Sequence, residues 1–259
     1  MKAIILAAGE GTRLRPYTLD RPKCMVEIEG ISLLERQLAV LRSRGVTPII
    51  VVGGYRASML NGEGYALRLN PRYAETNMVW TLFCAEADLK GEAIVSYGDI
   101  VYSGEILDRL MASTADIAVA IDLEWESYWR ARNEDPLSDA ETLRLDKSGN
   151  IIEIGQKPTC LDEIEGQYMG LMKFSTQGLA ALRSAYCDAL EKGTLGNRPT
   201  EKAYMTDLLQ ALIDRGHIVQ SVSIRSPWIE VDTVGDLRSD TSRERDTRIM
   251  ATLALKGQI

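Results

Sequence analysis

Five residues near the amino terminus have the types and spacing to hold anionic oxygens: Gly9, Gly11, Thr12 and Arg13, followed by Lys23. They follow an apolar run, Lys2 to Leu6, through Ala7 and Ala8. A glycine-rich turn exposes backbone N–H groups and lets the chain approach a ligand closely. Arg13 adds a guanidinium fork suited to phosphate, and Lys23 a compact second cation. The chemistry that fits is a nucleoside triphosphate meeting a second phosphate. Two carboxylates complete the set. Asp99 follows Gly98 after an apolar strand, and Asp232 ends the run from Trp228. Mg²⁺ prefers one or two carboxylates plus phosphate oxygens and water. Two aspartates from distant strands, meeting at one sheet edge, would supply them. Taken singly, each also fits a helix cap or turn. Glu230 is expected to point to the opposite face of its strand.

The turn is neither of two common phosphate motifs. The third glycine of a dinucleotide fingerprint is replaced by Leu14, and no Gly-Lys-Ser/Thr is present. The chain has 259 residues, enough for one large α/β domain or two small ones. Its net charge of −7 argues against a general nucleic-acid partner without forbidding a local basic pocket. Cys24, Cys84, Cys160 and Cys187 are far apart and His217 is the only histidine, which argues against structural zinc. Reduced thiols and a cytoplasmic location are the expectation. The apolar run Ala3 to Ala8 is too short for a signal peptide, and no run approaches membrane-spanning length.

Short apolar runs alternating with amphipathic segments predict a mixed, mostly parallel sheet with flanking helices, an α/β, Rossmann-like fold. Strands are expected at residues 2–6, 47–52, 92–97, 116–121, 167–174, 218–223 and 228–231. Helices are expected at 32–44, 77–89, 104–111, 177–190 and 203–215, with Asn77 as an N-cap. Residues 142–145 and 151–154 flank a turn and predict a β-hairpin. No linker stands out. A single domain over 1–259 is expected, with 1–115 mainly for nucleotide, 116–238 mainly for acceptor, and 239–259 a charged helical tail. Ligands in such sheets lie beyond the carboxyl ends of the strands.

The whole pattern, Leu6-Ala7-Ala8-Gly9-x-Gly11-Thr12-Arg13-Leu14-x-Pro16-x-Thr18 with Arg21-Pro22-Lys23-x-Met25-Val26, resembles nucleotidyltransferases that activate a phosphorylated sugar or alcohol with an NTP. The resemblance implies that Arg13, Lys23, Asp99 and Asp232 are catalytic, with Mg²⁺ on Asp99 and Asp232. It implies a nucleotide site at Leu6, Ala7, Ala8, Gly9, Gly11, Thr12, Arg13, Gly53, Tyr55, Thr76, Asn77, Met78 and Gly98. Lys157, in Gly155-Gln156-Lys157-Pro158, resembles a second family lysine that holds the acceptor phosphate; it also fits a solvated lysine after a hairpin.

Residues 75–82, Glu-Thr-Asn-Met-Val-Trp-Thr-Leu, depart from the base-binding segment of thymidylyl- and uridylyltransferases. They resemble cytidylyltransferases acting on phosphocholine, aminoethyl- or hydroxyethylphosphonate, or phosphoglutamine. CTP and a small phosphorylated or phosphonate acceptor are therefore the implied partners, with no nucleic acid and no membrane; a homodimer stays open. Acceptor-binding candidates are Lys23, Trp125, Trp129, Lys157, Glu165 and Tyr168. Aromatic faces with carboxylates suit an ammonium group, yet Trp125 and Trp129, four apart, equally fit the buried stripe of a helix. Arg130, Arg132 and Lys173 are further candidates for an acceptor carboxylate. Two alternatives remain: a sugar-1-phosphate nucleotidyltransferase using UTP, dTTP or GTP, and a non-catalytic nucleotide-binding subunit.

Overall fold

The computed structural model describes residues 1–225 and 227–254. The chain opens with β1 (Lys2–Ala7), α1 (Leu33–Ser43), β2 (Ile49–Gly53), β3 (Ala66–Leu69) and α2 (Met78–Phe83). Then come β4 (Ala93–Tyr97), β5 (Ile100–Tyr102), α3 (Gly104–Ala112), β6 (Ile117–Asp122) and α4 (Trp125–Arg132). The hairpin strands are β7 (Leu143–Leu145) and β8 (Asn150–Ile154), followed by β9 (Gln167–Phe174), α5 (Thr176–Lys192) and α6 (Met205–Asp214). The last elements are β10 (Val219–Ile224), β11 (Trp228–Glu230), α7 (Val234–Arg238) and α8 (Asp240–Ala254).

One nine-stranded sheet has the order β3-β2-β1-β4-β9-β6-β10-β8-β7. From β3 to β4 every pairing is parallel; β9 runs against both its neighbours, and β8 runs against both of its own. All other strands of the sheet point one way, because β6 and β10 are parallel. The fold is thus mixed but mostly parallel. Strand alternation divides the core between the two faces: Ala3, Ile5 and Ala7 lie with Leu34, Leu38 and Leu41 of α1, while Ile4 and Leu6 lie with Val79 and Leu82 of α2.

A separate antiparallel pair, β5 with β11, explains how two distant aspartates meet. Ile100 opposes Glu230, and the Val231 amide donates to the Asp99 carbonyl at 3.0 Å. Asp99 and Asp232 therefore leave adjacent strand ends. Behind this pair, Leu14, Val101, Ile229, Val231 and Ile249 of α8 form a third apolar cluster.

Helix α1 shows how local sequence fixes position. Ser32 and Glu35 form a reciprocal capping box: Ser32 Oγ accepts from the Glu35 amide at 3.2 Å, and Glu35 Oε2 from the Ser32 amide at 2.9 Å. From this anchored helix the buried Gln37 donates to the Tyr97 carbonyl at 3.0 Å and accepts from Ser96 Oγ at 2.8 Å. The end of β4, just before Asp99, is thereby pinned. The helix expected over 77–89 stops at Phe83, and the chain tightens into a 3-10 turn at Glu86–Asp88.

The charged tail packs onto this layer as α8. Arg36 Nη1 of α1 meets Asp246 Oδ1 at 2.7 Å, and both side chains are almost fully buried. Burial pulls the Arg36 guanidinium down and pushes the Asp246 carboxyl up, each against its partner's charge. Removing one member of such a pair strands the other charge. Arg36→Met is expected to destabilise the fold by about 3–5 kcal/mol, read as a lower urea midpoint; an unchanged midpoint would contradict this role for α8.

Candidate active site

A cavity of about 340 Å³ opens beyond the carboxyl ends of β1 and β4, a volume at the lower end of small-molecule sites. One wall, from β1 and the glycine turn, is Leu6, Ala7, Ala8, Gly9, Gly11, Thr12 and Arg13. Gly11 has φ +62°, a left-handed conformation that favours glycine, and a Cβ there would press on the Lys23 side chain at 3.1 Å. Gly98 meets a different constraint, since a Cβ would stand 2.8 Å from the Leu6 carbonyl oxygen. Gly98 lets two backbones close together, and Gly11 leaves room for the Lys23 stem.

At the floor, Lys23 Nζ donates to Asp99 Oδ2 at 2.6 Å and also to Asp232 Oδ1. Arg13 Nη2 pairs with Asp232 Oδ2 at 3.0 Å, while its guanidinium stays largely exposed to the cavity. Burial disfavours the charge on Lys23, but the two aspartates overcome it and hold the ammonium above its usual range. Asp232 is likewise desolvated, yet Lys23 and Arg13 hold its carboxyl below the usual range. Asp99 Oδ1 is buried and has no hydrogen-bond partner among the described residues. That orphaned oxygen, on a side chain that shares Lys23 with Asp232, fits a cation ligand. Among the described residues no group of three or more His, Cys, Asp or Glu side chains could hold a metal ion.

The opposite wall is Thr76, Asn77, Met78 and Thr81 with Tyr73 and Tyr97. Asn77 caps α2 as expected: its Oδ1 accepts from the Met78 amide at 2.9 Å. The fully buried Asn70 sets the wall by donating to Thr76 Oγ1 at 2.9 Å and Thr81 Oγ1 at 3.0 Å. Gly53 and Tyr55 stand behind the site instead of lining it. The Tyr55 amide donates to the Ala8 carbonyl at 3.0 Å, its hydroxyl to the Leu19 carbonyl at 2.9 Å, and its ring meets Tyr73 edge-on. Tyr55 thus braces the glycine turn.

The acceptor candidates separate. Trp125 and Trp129 do not line the cavity; both are buried, Trp125 edge-on to Trp129 and Trp129 against Tyr128 and against Trp228 of β11. Their helical spacing reported core, not a cage. Lys157 donates to the carbonyls of Leu137 and of Ser138 (2.8 Å), tying down the turn Pro136–Ser138. Glu165 Oε2 accepts from the Leu145 amide at 2.6 Å, fastening the hairpin. Tyr168 meets Tyr97 edge-on, with ring centroids 5.6 Å apart, and so adjoins the cavity wall. Arg130 pairs with Glu126 within its own helix, and Lys173 donates to the carbonyls of Met111 and Ser113.

Glu230 corrects an expectation. It lines the cavity beside Asp232. Residues two apart on an extended chain share a face, so both side chains leave the chain on the cavity's side. Burial and the neighbouring Asp232 push the Glu230 carboxyl up, while Arg132 draws it back. Cys24, Tyr73, Thr81 and Tyr97 also line the cavity and were absent from the sequence-based set. Tyr97 had a legible signal, being the last residue of the strand that delivers Asp99; Tyr73 had none.

Two measurements test these placements. Trp125→Ala is expected to cost about 3–5 kcal/mol of stability and to leave the acceptor KM within twofold; a raised KM with normal stability would return Trp125 to the site. Burial and nearby Asp207 push the Glu141 carboxyl up to about 7, against an ordinary 4.5. The folded chain thus keeps a proton that the unfolded chain releases. The stability this gives is complete below pH 4.5 and is lost as pH rises through 7. Glu141→Gln should therefore stabilise the protein relative to wild type at pH 8 and not at pH 4, by thermal melting; equal shifts at both would contradict it.

With this geometry in view, known proteins place the chain. A model of the MobA-like NTP transferase domain matches residues 3–190. The chain is 41% identical over 249 residues to a CTP:phosphoglutamine cytidylyltransferase of Campylobacter jejuni, covering 92% of this chain and 98% of that protein. It is 35% identical over 118 residues to a choline-phosphate cytidylyltransferase of Streptococcus pneumoniae, covering 44% and 52%. Two solved structures share the fold: an inositol-1-phosphate CTP transferase from T. maritima (TM-score 0.73, 22% identity, 96% of this chain and 95% of that one) and a CTP:phosphocholine cytidylyltransferase from S. pneumoniae (TM-score 0.71, 21%, 95% and 98%). The chain therefore belongs to the MobA-like NTP transferase family and is an enzyme of the nucleotidyltransferase class.

Proposed function

We propose that this enzyme is a Mg²⁺-dependent cytidylyltransferase. An oxygen of a small acceptor's phosphate or phosphonate attacks the α-phosphorus of CTP; the new P–O bond forms as the bond to pyrophosphate breaks. The carrying observation is the convergence of Lys23, Asp99 and Asp232 beneath the Gly9–Thr12 turn. The full-length likeness to the C. jejuni enzyme supports CTP and an acceptor of the phosphoglutamine class.

No general base is needed. A phosphate monoester has a second pKa of about 6 and is already nucleophilic at neutral pH. The obstacle is the approach of two anions, so catalysis consists of neutralisation and alignment. The turn amides and Arg13 would receive the triphosphate. Lys23, at the floor, would face both the α-phosphate and the acceptor. Asp99 and Asp232 would hold Mg²⁺, which when bound offsets charge on the phosphates. The wall from Thr76 to Thr81 would face the base, with the acceptor entering past Tyr97. The sheet runs without a break through the nucleotide half (1–115) and the acceptor half (116–238), in keeping with one domain.

The test is pyrophosphate release with Mg²⁺, CTP, UTP, dTTP, GTP and ATP, each paired with phosphoglutamine, phosphocholine, 2-aminoethylphosphonate, hydroxyethylphosphonate and glucose-1-phosphate. Turnover confined to CTP is expected; faster turnover with another NTP and glucose-1-phosphate would move the enzyme to sugar activation. Lys23→Ala and Asp99→Ala should each lower kcat at least about a hundredfold. Folded variants with near-normal rates would refute the assigned roles.

A further inference from the structure

Glu230 lies in the cavity wall with Asp232, and Asp99 lies across the same strand pair. Three carboxylates there would repel a triphosphate and compete for Lys23. The fold supplies a counter-ion from an element outside the site. Arg132 is at the carboxyl end of α4, and its side chain is only 4% exposed. Its Nη1 donates to Glu230 Oε2 at 2.6 Å and its Nε to Asp236 Oδ1 at 2.8 Å. The guanidinium lies over the rings of Tyr128 and Trp129, with centroids 5.2 and 5.1 Å away. The second oxygen of Asp236 accepts from the amides of Asp232 (3.0 Å) and Thr233 (2.8 Å). Tyr128 Oη in turn accepts from the Glu230 amide at 3.0 Å. One guanidinium therefore grips the side chain of Glu230 and, through Asp236, the backbone of Asp232.

We infer that Arg132 is a positioning residue that draws the Glu230 carboxylate away from the nucleotide and cation, leaving Asp99 and Asp232 as the working pair. This rests on the proposed nucleotide site and adds a residue to it. The aromatic-rich segment 125–129 then walls the guanidinium from water, where a buried ion pair is screened least. The network is more than a structural tie because its two arms act differently. The Asp236 arm sets the path of the Asp232 backbone, and the Glu230 arm sets the charge in the cavity. Loss of Arg132 leaves Glu230 beside Asp232 with its carboxylate free to take Lys23.

A rescue experiment separates charge from scaffold. The affinity of CTP in the presence of Mg²⁺ is measured by calorimetry for wild type, Arg132→Met, Arg132→Lys and the double variant Arg132→Met/Glu230→Gln, with kcat and KM alongside. Arg132→Met is expected to weaken CTP at least tenfold, and the double variant to recover most of that loss although the guanidinium is still missing. Arg132→Lys, which keeps the charge without the fork, should lose less than Arg132→Met. Should Arg132→Met fail to fold, the comparison passes to Arg132→Lys with and without Glu230→Gln. Unchanged CTP affinity in folded Arg132→Met, or a double variant as weak as the single, would overturn the inference. Absence of CTP binding by the wild-type enzyme would instead overturn the nucleotide reading, and this inference with it.

Discussion

One ammonium held between two carboxylates organises this molecule. Lys23 comes from a short 3-10 turn after β1, Asp99 from the end of β4, and Asp232 from the end of β11. Like charges cannot be gathered at a half-buried point without a counter-ion, and a lone ammonium cannot be buried there without acids. Each charge is tolerable only because the other elements deliver its partner. Gln37 of α1 pins β4, the β5–β11 pair sets the aspartates side by side, and Gly11 gives the lysine stem room.

The same constraint reaches outward. The chain carries a net charge of −7, yet its substrates are proposed to be two anions. The acidic excess does not fill the cavity with free carboxylates, because those that reach it are matched locally. Asp232 meets Lys23 and Arg13, and Glu230 meets Arg132. Helix α8, from the charged helical tail, closes the layer behind them. Its Arg245 donates to the Trp228 carbonyl at 3.2 Å and lies over the Tyr128 ring, and its Asp246 meets Arg36. Local balance, not overall charge, decides what the site can bind.

Much of this was legible in the sequence, for identifiable reasons. The strand boundaries around Lys2–Ala7, Ala93–Tyr97 and Gln167–Phe174 followed from apolar runs closed by turn residues. The glycine turn, Arg13, Lys23, Asp99 and Asp232 combined a recognisable motif with positions at strand ends, where side chains from separate elements converge. What failed had two causes: spacing along a chain does not say what lies across from it, and strand parity was misread at one position. Trp125 and Trp129 had the composition of a ligand cage, but Trp125 packs on Trp129 and Trp129 on Trp228, and neither lines the cavity. Lys157 and Glu165 are cationic and anionic as acceptor residues would be, yet backbone groups of the turn and hairpin claim them. Arg132 was indistinguishable from Arg130 in the sequence; only the fold shows one in solvent and the other between two acids. Glu230 was misplaced by parity, since a residue two before Asp232 shares its side of the strand.

Locating the metal is the most direct test of this site. Crystals grown with CTP and Mn²⁺ in place of Mg²⁺ allow the ion to be found from its anomalous scattering. The predicted result is one strong peak bound by Asp99 and Asp232 against the triphosphate, with Lys23 Nζ turned from the aspartates toward the α-phosphate and Glu230 still on Arg132. A nucleotide bound elsewhere, or a metal held without Asp99 and Asp232 while Lys23 keeps both, would contradict it.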